Sequence, residues 1–134
     1  MITHLLDTNV AISLLAGKSE PLLKRVLAHS NSSLAFSVVV VHELYYGAHK
    51  SQRVDHNLEA VRLFLRSFPI LELDQKDAIA AGEIRATLAH KGKPIGPLDL
   101  LLAGQARARD LTMVTNNIRE FERVPGLRVE DWLR

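Results

Sequence analysis

Four acidic residues stand beside apolar segments, where a carboxylate can do chemistry. Asp7 follows the apolar residues 2–6, and Asp99 opens the apolar stretch LLLA after GPL. Glu43 lies within the apolar segment VVVVHELYYG, and Glu120 lies in TNNIREF. A carboxylate is costly to bury unless it is paired or binds a cation. These positions therefore make the four acids candidates for a shared cation site.

Such a cluster would fit one chemical scheme. Mg²⁺ and Mn²⁺ prefer carboxylate oxygens as ligands. Hydrolysis of a phosphodiester needs a metal to activate water and to offset the charge on the phosphate. Without a metal, mutual repulsion between neighbouring carboxylates would raise some of their pKa values.

Each acid also has a structural interpretation. Asp7 and Asp99 stand where helices are expected to begin, so either could cap a helix or favour its dipole. Glu43 could occupy a solvated helix position, and Glu120 has ordinary surface charges on both sides. A non-catalytic binding module, in which the acids only cap helices, therefore stays open.

A phosphoryl-transfer domain with Asp7 as the phosphate acceptor is the other alternative. A dehalogenase-like phosphatase needs a second Asp where this chain has Asn9. A receiver domain needs its acceptor after the third strand, where Asp74 instead looks like a helix cap. Both patterns fit the sequence poorly.

Strands and helices are predicted to alternate along the chain. Apolar runs predict strands at 2–6, 34–37, 70–73, 111–115 and 127–129. Helical spacing and capping residues predict helices at 8–16, 21–29, 38–49, 55–68, 75–91 and 98–109, with a turn at 30–33. The fifth of these helices is expected to bury Ala78, Ile79, Ile84 and Leu88. The pattern predicts an α/β fold with a mainly parallel sheet and helices on both faces.

In sheets of this kind, ligands bind beyond the carboxyl ends of the strands. Asp7 and the turn Thr115-Asn116-Asn117 both follow predicted strands. They are therefore expected at the same edge of the sheet.

Composition limits the classes of protein. The 134 residues, 47% of them hydrophobic and 24% charged, fit a single globular domain over residues 1–134. The absence of cysteine excludes disulfide scaffolds, thiol nucleophiles and Cys-based metal sites, and it fits a reducing cytoplasm, where we expect the protein. No membrane segment or targeting signal is expected.

The net charge of +2 comes from 17 basic and 15 acidic residues. If the four candidate acids bind a cation, 11 acidic residues remain, and the rest of the surface is clearly basic. A near-neutral composition is therefore compatible with an RNA partner.

Four sequence blocks match a known family in order and spacing: LLDTNV, HELYYGAHKSQ, KGKPIGPLDLLLAGQARARDL and TNNIREFERVPGLRVEDW. Over nearly its whole length the chain resembles PIN-domain ribonucleases, specifically the VapC toxins of bacterial type II toxin–antitoxin pairs. The resemblance implies a single PIN-like domain with about five strands in the order 3-2-1-4-5.

The resemblance also implies an activity and partners. It implies an endoribonuclease dependent on Mg²⁺ or Mn²⁺, with tRNA as the substrate and the anticodon loop of initiator tRNA preferred. A cognate VapB-type antitoxin would inhibit it. The implied assemblies are a homodimer and a toxin–antitoxin hetero-oligomer, with operator DNA contacted only through the antitoxin and no membrane contact.

Matching positions in the family imply roles for individual residues. Asp7 and Asp99 would be the main metal ligands, Glu43 would complete the cluster, and Glu120 falls near a less regular fourth acid. Asn117 stands where many PIN domains have Asp, which argues against a second tightly bound metal. The side chains that would orient the carboxylates by hydrogen bonds are Thr8, Asn9, Thr115, Asn116 and Asn117.

RNA contacts are expected from basic residues around the acids. The candidates are Lys91, Lys93, Arg107, Arg109 and Arg119. One aromatic ring, from Tyr45, Tyr46 or Phe121, could stack on a base.

The early helices carry more large apolar side chains than one small sheet covers, among them Leu14, Leu15, Leu44, Tyr45 and Leu58. They could form an apolar groove for a partner helix, a homodimer face or a well-filled core. The sequence leaves these three open.

Overall fold

The computed structural model describes residues 1–134 and alternates strands with helices. The strands are β1 (His4–Leu6), β2 (Leu34–Ser37), β3 (Ile70–Leu71), β4 (Thr112–Val114) and β5 (Val129–Glu130). The helices are α1 (Thr8–Ala16), α2 (Glu20–Leu27), α3 (Val38–Lys50), α4 (Val54–Leu65), α5 (Gln75–His90), α6 (Pro97–Ala108) and α7 (Ile118–Phe121). A short 3₁₀ helix spans Asn31–Ser33, within the predicted turn. No helix of the chain is long and apolar enough to span a membrane.

All five strands form one sheet in the order β3-β2-β1-β4-β5, and every pairing is parallel. The predicted fold class and strand order are confirmed. Leu5 and Leu6 are both fully buried although successive strand residues face opposite sides of a sheet. Helices therefore cover both faces, and the carboxyl ends of all strands lie along one edge.

Polar residues at the strand ends begin the helices that follow. Asp7 accepts a hydrogen bond from the Val10 backbone N–H at 3.0 Å and caps α1. Ser37 caps α3 in the same way through the Val39 N–H at 3.1 Å. Short strand-to-helix connections thus place the first turns of α1 and α3 directly at the carboxyl edge of the sheet.

The core is one cluster of 26 buried hydrophobic residues around the sheet. Phe36 of β2 packs against Phe64 and Phe68, with ring centroids 5.5 and 5.1 Å away. Helix α4 was predicted to reach Phe68, but it ends at Leu65. Pro69 disfavours a helical conformation in the residue before it, so Phe68 leaves the helix and packs its ring on Phe36.

The predicted buried face of α5 is wrong in its first turn. Ala78 and Ile79 are exposed, Ile79 by 64%. Asp77 is buried instead, because Arg109 at the end of α6 donates two hydrogen bonds to its carboxylate, at 2.8 and 3.2 Å. Burial acts to raise the pKa of Asp77, but the Arg109 hydrogen bonds and charge, the Asp74 backbone N–H and the Gln105 side chain together hold it below its ordinary value.

Several predicted boundaries shift by a few residues. Strand β1 begins at His4 rather than residue 2, and β3 ends at Leu71 rather than residue 73. Strand β5 lies at Val129–Glu130, so it begins two residues later and ends one residue later than predicted. The short helix α7, which carries Glu120, was not predicted.

Candidate active site

An open pocket of about 280 Å³ lies at the carboxyl edge of the sheet. It brings together three of the four predicted acids from three separate elements: Asp7 after β1, Glu43 in α3 and Asp99 in the first turn of α6. The other lining residues are Thr8, Asn9, Ile12, Tyr46 and Asn117. Because the three acids lie far apart in the sequence, only folding brings them together in this acidic pocket.

Asp7 is the most deeply buried acid of the pocket, with 5% of its surface exposed. One carboxylate oxygen accepts the Val10 N–H, and the other accepts a short hydrogen bond from the hydroxyl of Thr115. Burial raises the pKa of Asp7 above its ordinary value, and the nearby charge of Glu43 raises it further. Asp7 therefore caps helix α1, and its hydrogen bonds only partly compensate for the burial of its negative charge.

Glu43 is held in place from the neighbouring helix. The Thr8 hydroxyl donates a hydrogen bond to its Oε1 at 2.6 Å. Thr8 lies in the first turn of α1, directly after Asp7, so this contact fixes two of the acids relative to each other.

Asp99 and Glu120 form a hydrogen-bonded pair of acids. Burial, the hydrogen bond to Glu120 and the charges of Glu120, Asp7 and Glu43 raise the pKa of Asp99 to about 7. The pKa of Glu120 is lowered by the Asp99 hydrogen bond and by the hydrogen bond from the Asn117 side chain. A raised pKa such as that of Asp99 is expected where carboxylates lie close together.

The donor set of the acidic pocket fits a hard divalent cation. Its charged ligands are all carboxylates, the chemistry that Mg²⁺ and Mn²⁺ prefer. As the side chains stand, no three of them form a closed metal-binding group. Hydrogen bonds to protein partners hold them, and a cation would compete with those bonds for the same oxygens.

The residues predicted to orient the carboxylates fall into two groups. Thr8, Thr115 and Asn117 donate to carboxylates, with Asn117 Nδ2 lying 2.8 Å from Glu120 Oε2. The side chains of Asn9 and Asn116 instead meet each other, at 3.4 Å, across the ends of β1 and β4. They connect two backbone segments rather than orienting an acid.

The residues predicted to bind RNA also fall into two groups, those that lie away from the acids and those that lie near them. Arg107 donates to Pro125 O and Glu83, and Arg109 is paired with Asp77. Arg109 follows Asp99 by ten residues along the same helix, a distance of about 15 Å. The structure thus places these two arginines away from the acids, whereas Lys91, Lys93 and Arg119 are exposed near the start of α6 and on α7.

Of the three candidate rings, only Tyr46 lines the acidic pocket, and it is 59% exposed. Phe121 is fully buried, and Tyr45 packs against the core. Sequence periodicity could not distinguish Tyr46 from its neighbour.

A second cavity, of about 430 Å³, lies beside the acidic pocket, and we call it the apolar groove. Leu15 and Leu44, both expected to form such a surface, are among its lining residues, whereas Leu14, Tyr45 and Leu58 pack against the core. The remaining lining residues are Ile12, Ala16, Glu43, Gly47, Ala48, His56, Asn57, Ala60 and Val61.

Comparison with known proteins identifies the family. The family model described as PIN domain matches residues 4–127. The chain is 44% identical over 132 residues to a protein of Salmonella typhimurium named tRNA(fMet)-specific endonuclease VapC, covering 98% of this chain and 99% of that protein. This chain belongs to the VapC family of PIN domains.

Two further comparisons agree with this VapC assignment. Ribonuclease VapC2 of Haemophilus influenzae is 38% identical over 133 residues, covering 99% of this chain and 100% of that protein. A crystal structure described as DNA-bound VapBC from Salmonella typhimurium matches with a TM-score of 0.93 and 43% identity, over 98% of this chain and 99% of that chain. The family expected from the four sequence blocks is confirmed, which favours a nuclease over a phosphate-accepting domain.

Proposed function

We propose that this VapC-family chain is the toxin of a type II toxin–antitoxin pair and acts as an endoribonuclease dependent on Mg²⁺ or Mn²⁺. The observation that carries the proposal is the pocket that joins Asp7, Glu43 and Asp99. Burial and the neighbouring Glu120, with smaller effects of Asp7 and Glu43, raise the pKa of Asp99 to about 7, so a cation would stabilise the ionised form of this site.

Asp7, Glu43 and Asp99 would hold the ion, and Glu120 lies next to Asp99. A bound divalent cation supplies two effects, a lower pKa for water and compensation of negative charge on the attacked phosphate. The Thr115 and Thr8 hydroxyls keep the carboxylates of Asp7 and Glu43 in position.

For the substrate we propose tRNA, with the anticodon loop of initiator tRNA preferred. The support is the name of the 44% identical relative, a tRNA(fMet)-specific endonuclease. The exposed Tyr46 ring at the acidic pocket is placed to stack on an unpaired base, as loops present to proteins. A tRNA substrate would place the activity in the cytoplasm.

Mapping of RNA ends tests this proposal directly. The chain is expressed without an antitoxin, and the ends of cellular RNAs are sequenced. We expect one tRNA to be cut at one position, and the purified chain to make the same cut with Mg²⁺ or Mn²⁺ but not with EDTA. Intact tRNA in the cells, together with no cleavage by the purified chain, would refute the proposed activity.

We further propose that a VapB-type antitoxin occupies the apolar groove. Ile12 and Leu15 are exposed there by 53% and 36%, which leaves apolar surface for a partner helix. The similar Salmonella structure is a VapBC complex bound to DNA. By analogy, this chain would contact operator DNA through its antitoxin.

Gly47 offers a test of the groove. A Cβ on Gly47 would meet nothing within 4 Å, so Gly47→Leu projects a side chain into the groove without disturbing the fold. We expect at least about tenfold weaker inhibition by a VapB antitoxin that inhibits the wild-type chain, since a hot-spot contact is worth about 2 kcal/mol. RNA cleavage should persist.

The matched control is Gly82→Leu, on α5, where a Cβ would likewise meet nothing within 4 Å. Gly82 does not line the groove. Equal inhibition of the Gly47 and Gly82 variants would place the antitoxin elsewhere.

A further inference from the structure

A polar cleft runs between α7 and the loop joining α5 to α6. One section, of about 360 Å³, has no hydrophobic lining residue and is formed by Gly92, Lys93, Pro94, Arg119, Glu122 and Arg123. An adjoining section, of about 340 Å³, is lined by Leu88, Lys91, Lys93, Glu122 and Arg123. The shared residues show that the two sections form one continuous surface, which we call the basic cleft.

The basic side chains of this cleft form no salt bridge within the protein. It contains four basic residues, Lys91, Lys93, Arg119 and Arg123, and one acidic residue, Glu122. None of the four basic side chains lies within 4 Å of a carboxylate. Arg123 donates one hydrogen bond, to Pro94 O at 2.9 Å, which joins α7 to the loop across the cleft. The excess positive charge is therefore available to an anionic ligand.

The basic cleft adjoins the acidic pocket through Glu120. Arg119 directly precedes Glu120 on α7, and the charge of Arg123 helps to lower the pKa of Glu120. The other wall, the loop that follows α5, leads directly into the first turn of α6, where Asp99 lies. If the reacting group of a polyanion lies at Asp99, the neighbouring charged groups of that polyanion would therefore lie in the basic cleft.

We propose that the basic cleft binds backbone phosphates of the substrate RNA on one side of the cleaved bond. This inference rests on the proposed nuclease function and adds a second binding surface to it. Phosphate contacts position a nucleic acid without reading its sequence. The cleft should therefore contribute to substrate binding and to its salt dependence, while the acidic pocket contributes the chemistry.

An acidic polypeptide is the competing ligand, and the cleft fits it less well. Protein partners usually anchor themselves through buried apolar or aromatic side chains. The larger section of the cleft has no hydrophobic lining, whereas the apolar groove provides that kind of surface elsewhere. RNA phosphates need only the charges and donors that the cleft contains.

The test variant combines Lys91→Gln with Lys93→Gln. Both lysine side chains are exposed and form no hydrogen bond or ion pair within the protein, so the fold should be kept. The matched control is Lys76→Gln, an exposed lysine at the opposite end of α5, about 22 Å from Lys91. The substrate is a fluorescein-labelled RNA stem-loop carrying the anticodon loop of initiator tRNA. Cleavage is measured with Mg²⁺ between 50 and 200 mM KCl.

We expect the double variant to raise KM about tenfold at 100 mM KCl and to change kcat less than twofold, because the lysines act on binding. The slope of log(1/KM) against log[KCl] should become shallower by about 1 to 1.5, near 0.7 for each lost phosphate contact on a single strand. Glu122→Gln should lower KM, and Lys76→Gln should leave both quantities unchanged. A double variant with wild-type KM and salt slope would overturn the inference.

Binding assays separate this inference from the proposed activity. In the Asp99→Asn background, anisotropy of the same RNA should show the same tenfold weakening by the two lysine substitutions. If the wild-type chain cleaves no RNA but this weakening is found, the activity is refuted and the cleft stands. If the lysine substitutions weaken binding of poly-L-glutamate and leave RNA binding unchanged, the cleft binds acidic polypeptide and the inference is wrong.

Discussion

Asp99→Asn is expected to lower the rate of Mg²⁺-dependent RNA cleavage at least about 100-fold. Loss of a hydrogen-bond partner outside the ligand shell already costs roughly 10- to 100-fold in metal affinity or activity, so loss of a ligand should cost at least as much. Asparagine has the shape of aspartate and can still hydrogen-bond Glu120. The fold should therefore be kept, as circular dichroism would show.

Asp110→Asn is the matched control for this substitution. Asp110 is an exposed residue at the other end of α6, in a left-handed conformation with φ of 57°, which asparagine tolerates well. Wild-type cleavage by this control is expected. If Asp99→Asn also cleaved at the wild-type rate, the acids would only cap helices, and a non-catalytic binding module would be the better description.

The same substitution should change how stability depends on pH. The folded pKa of Asp99 is about 7 against an ordinary value of 3.8, so between these values the folded chain holds a proton that the unfolded chain has lost. The free energy of unfolding of the wild-type chain, measured in EDTA, should therefore fall as pH rises from 4 to 7 and then level off. Glu120, with its lowered pKa, offsets part of this decline.

Asp99→Asn should remove this fall in the free energy of unfolding with rising pH. At pH 8 in EDTA we expect the variant to be more stable than the wild-type chain by roughly 1–2 kcal/mol, allowing for solvent screening. Thermal melts at pH 5 and pH 8 measure the difference. Mg²⁺ should raise the melting temperature of the wild-type chain more than that of the variant, because a ligand stabilises the state that binds it. A lower melting temperature for the variant at pH 8 would show that Asp99 mainly supports the fold.

Gly104→Ala is expected to destabilise the fold by about 2 kcal/mol or more. A Cβ on Gly104 would lie 2.7 Å from the Cβ and backbone N of Ala81 and 2.8 Å from its Cα. These are mostly backbone atoms of α5, which cannot rotate away, so the two helices would have to separate. The expected fall in melting temperature is roughly 8 °C.

Gly82→Ala is the control because it makes the same chemical change on the same helix pair. Nothing lies within 4 Å of the added Cβ, and alanine is the better helix former, so stability should rise by about 0.5–1 kcal/mol. Equal melting temperatures for the two variants would show that α5 and α6 are not locked by close contact. Thermal denaturation in EDTA measures both.

The position of Asp7 was predictable from the sequence, because it directly follows strand β1 and the carboxyl ends of parallel strands lie at one edge of the sheet. Asp99 was identifiable as an acid at a helix start, but it follows a loop after α5, so only the folded chain shows that it lies at the same edge. Glu120 was harder to place because α7 has only four residues, too few to show a helical period. Its hydrogen bonds to Asp99 and Asn117 depend on the folded arrangement.

The misplaced face of α5 has a similar cause. A sequence pattern assigns apolar side chains to the buried face, and Ile79 therefore looked like a core residue. Asp77 is buried in its place because Arg109, 32 residues later, neutralises it. Local spacing cannot reveal a partner so far along the chain. The same limitation applies to Arg109, whose pairing with Asp77 could not be seen from the sequence.

Glu43 lines both the acidic pocket and the apolar groove. A molecule in the groove therefore lies against a residue that also belongs to the proposed cation site. Thermodynamic linkage follows, because any factor by which a groove ligand changes cation affinity must also change the affinity of the groove for its ligand. Because Glu43 belongs to both cavities, binding in one cavity can be detected as a change of affinity in the other.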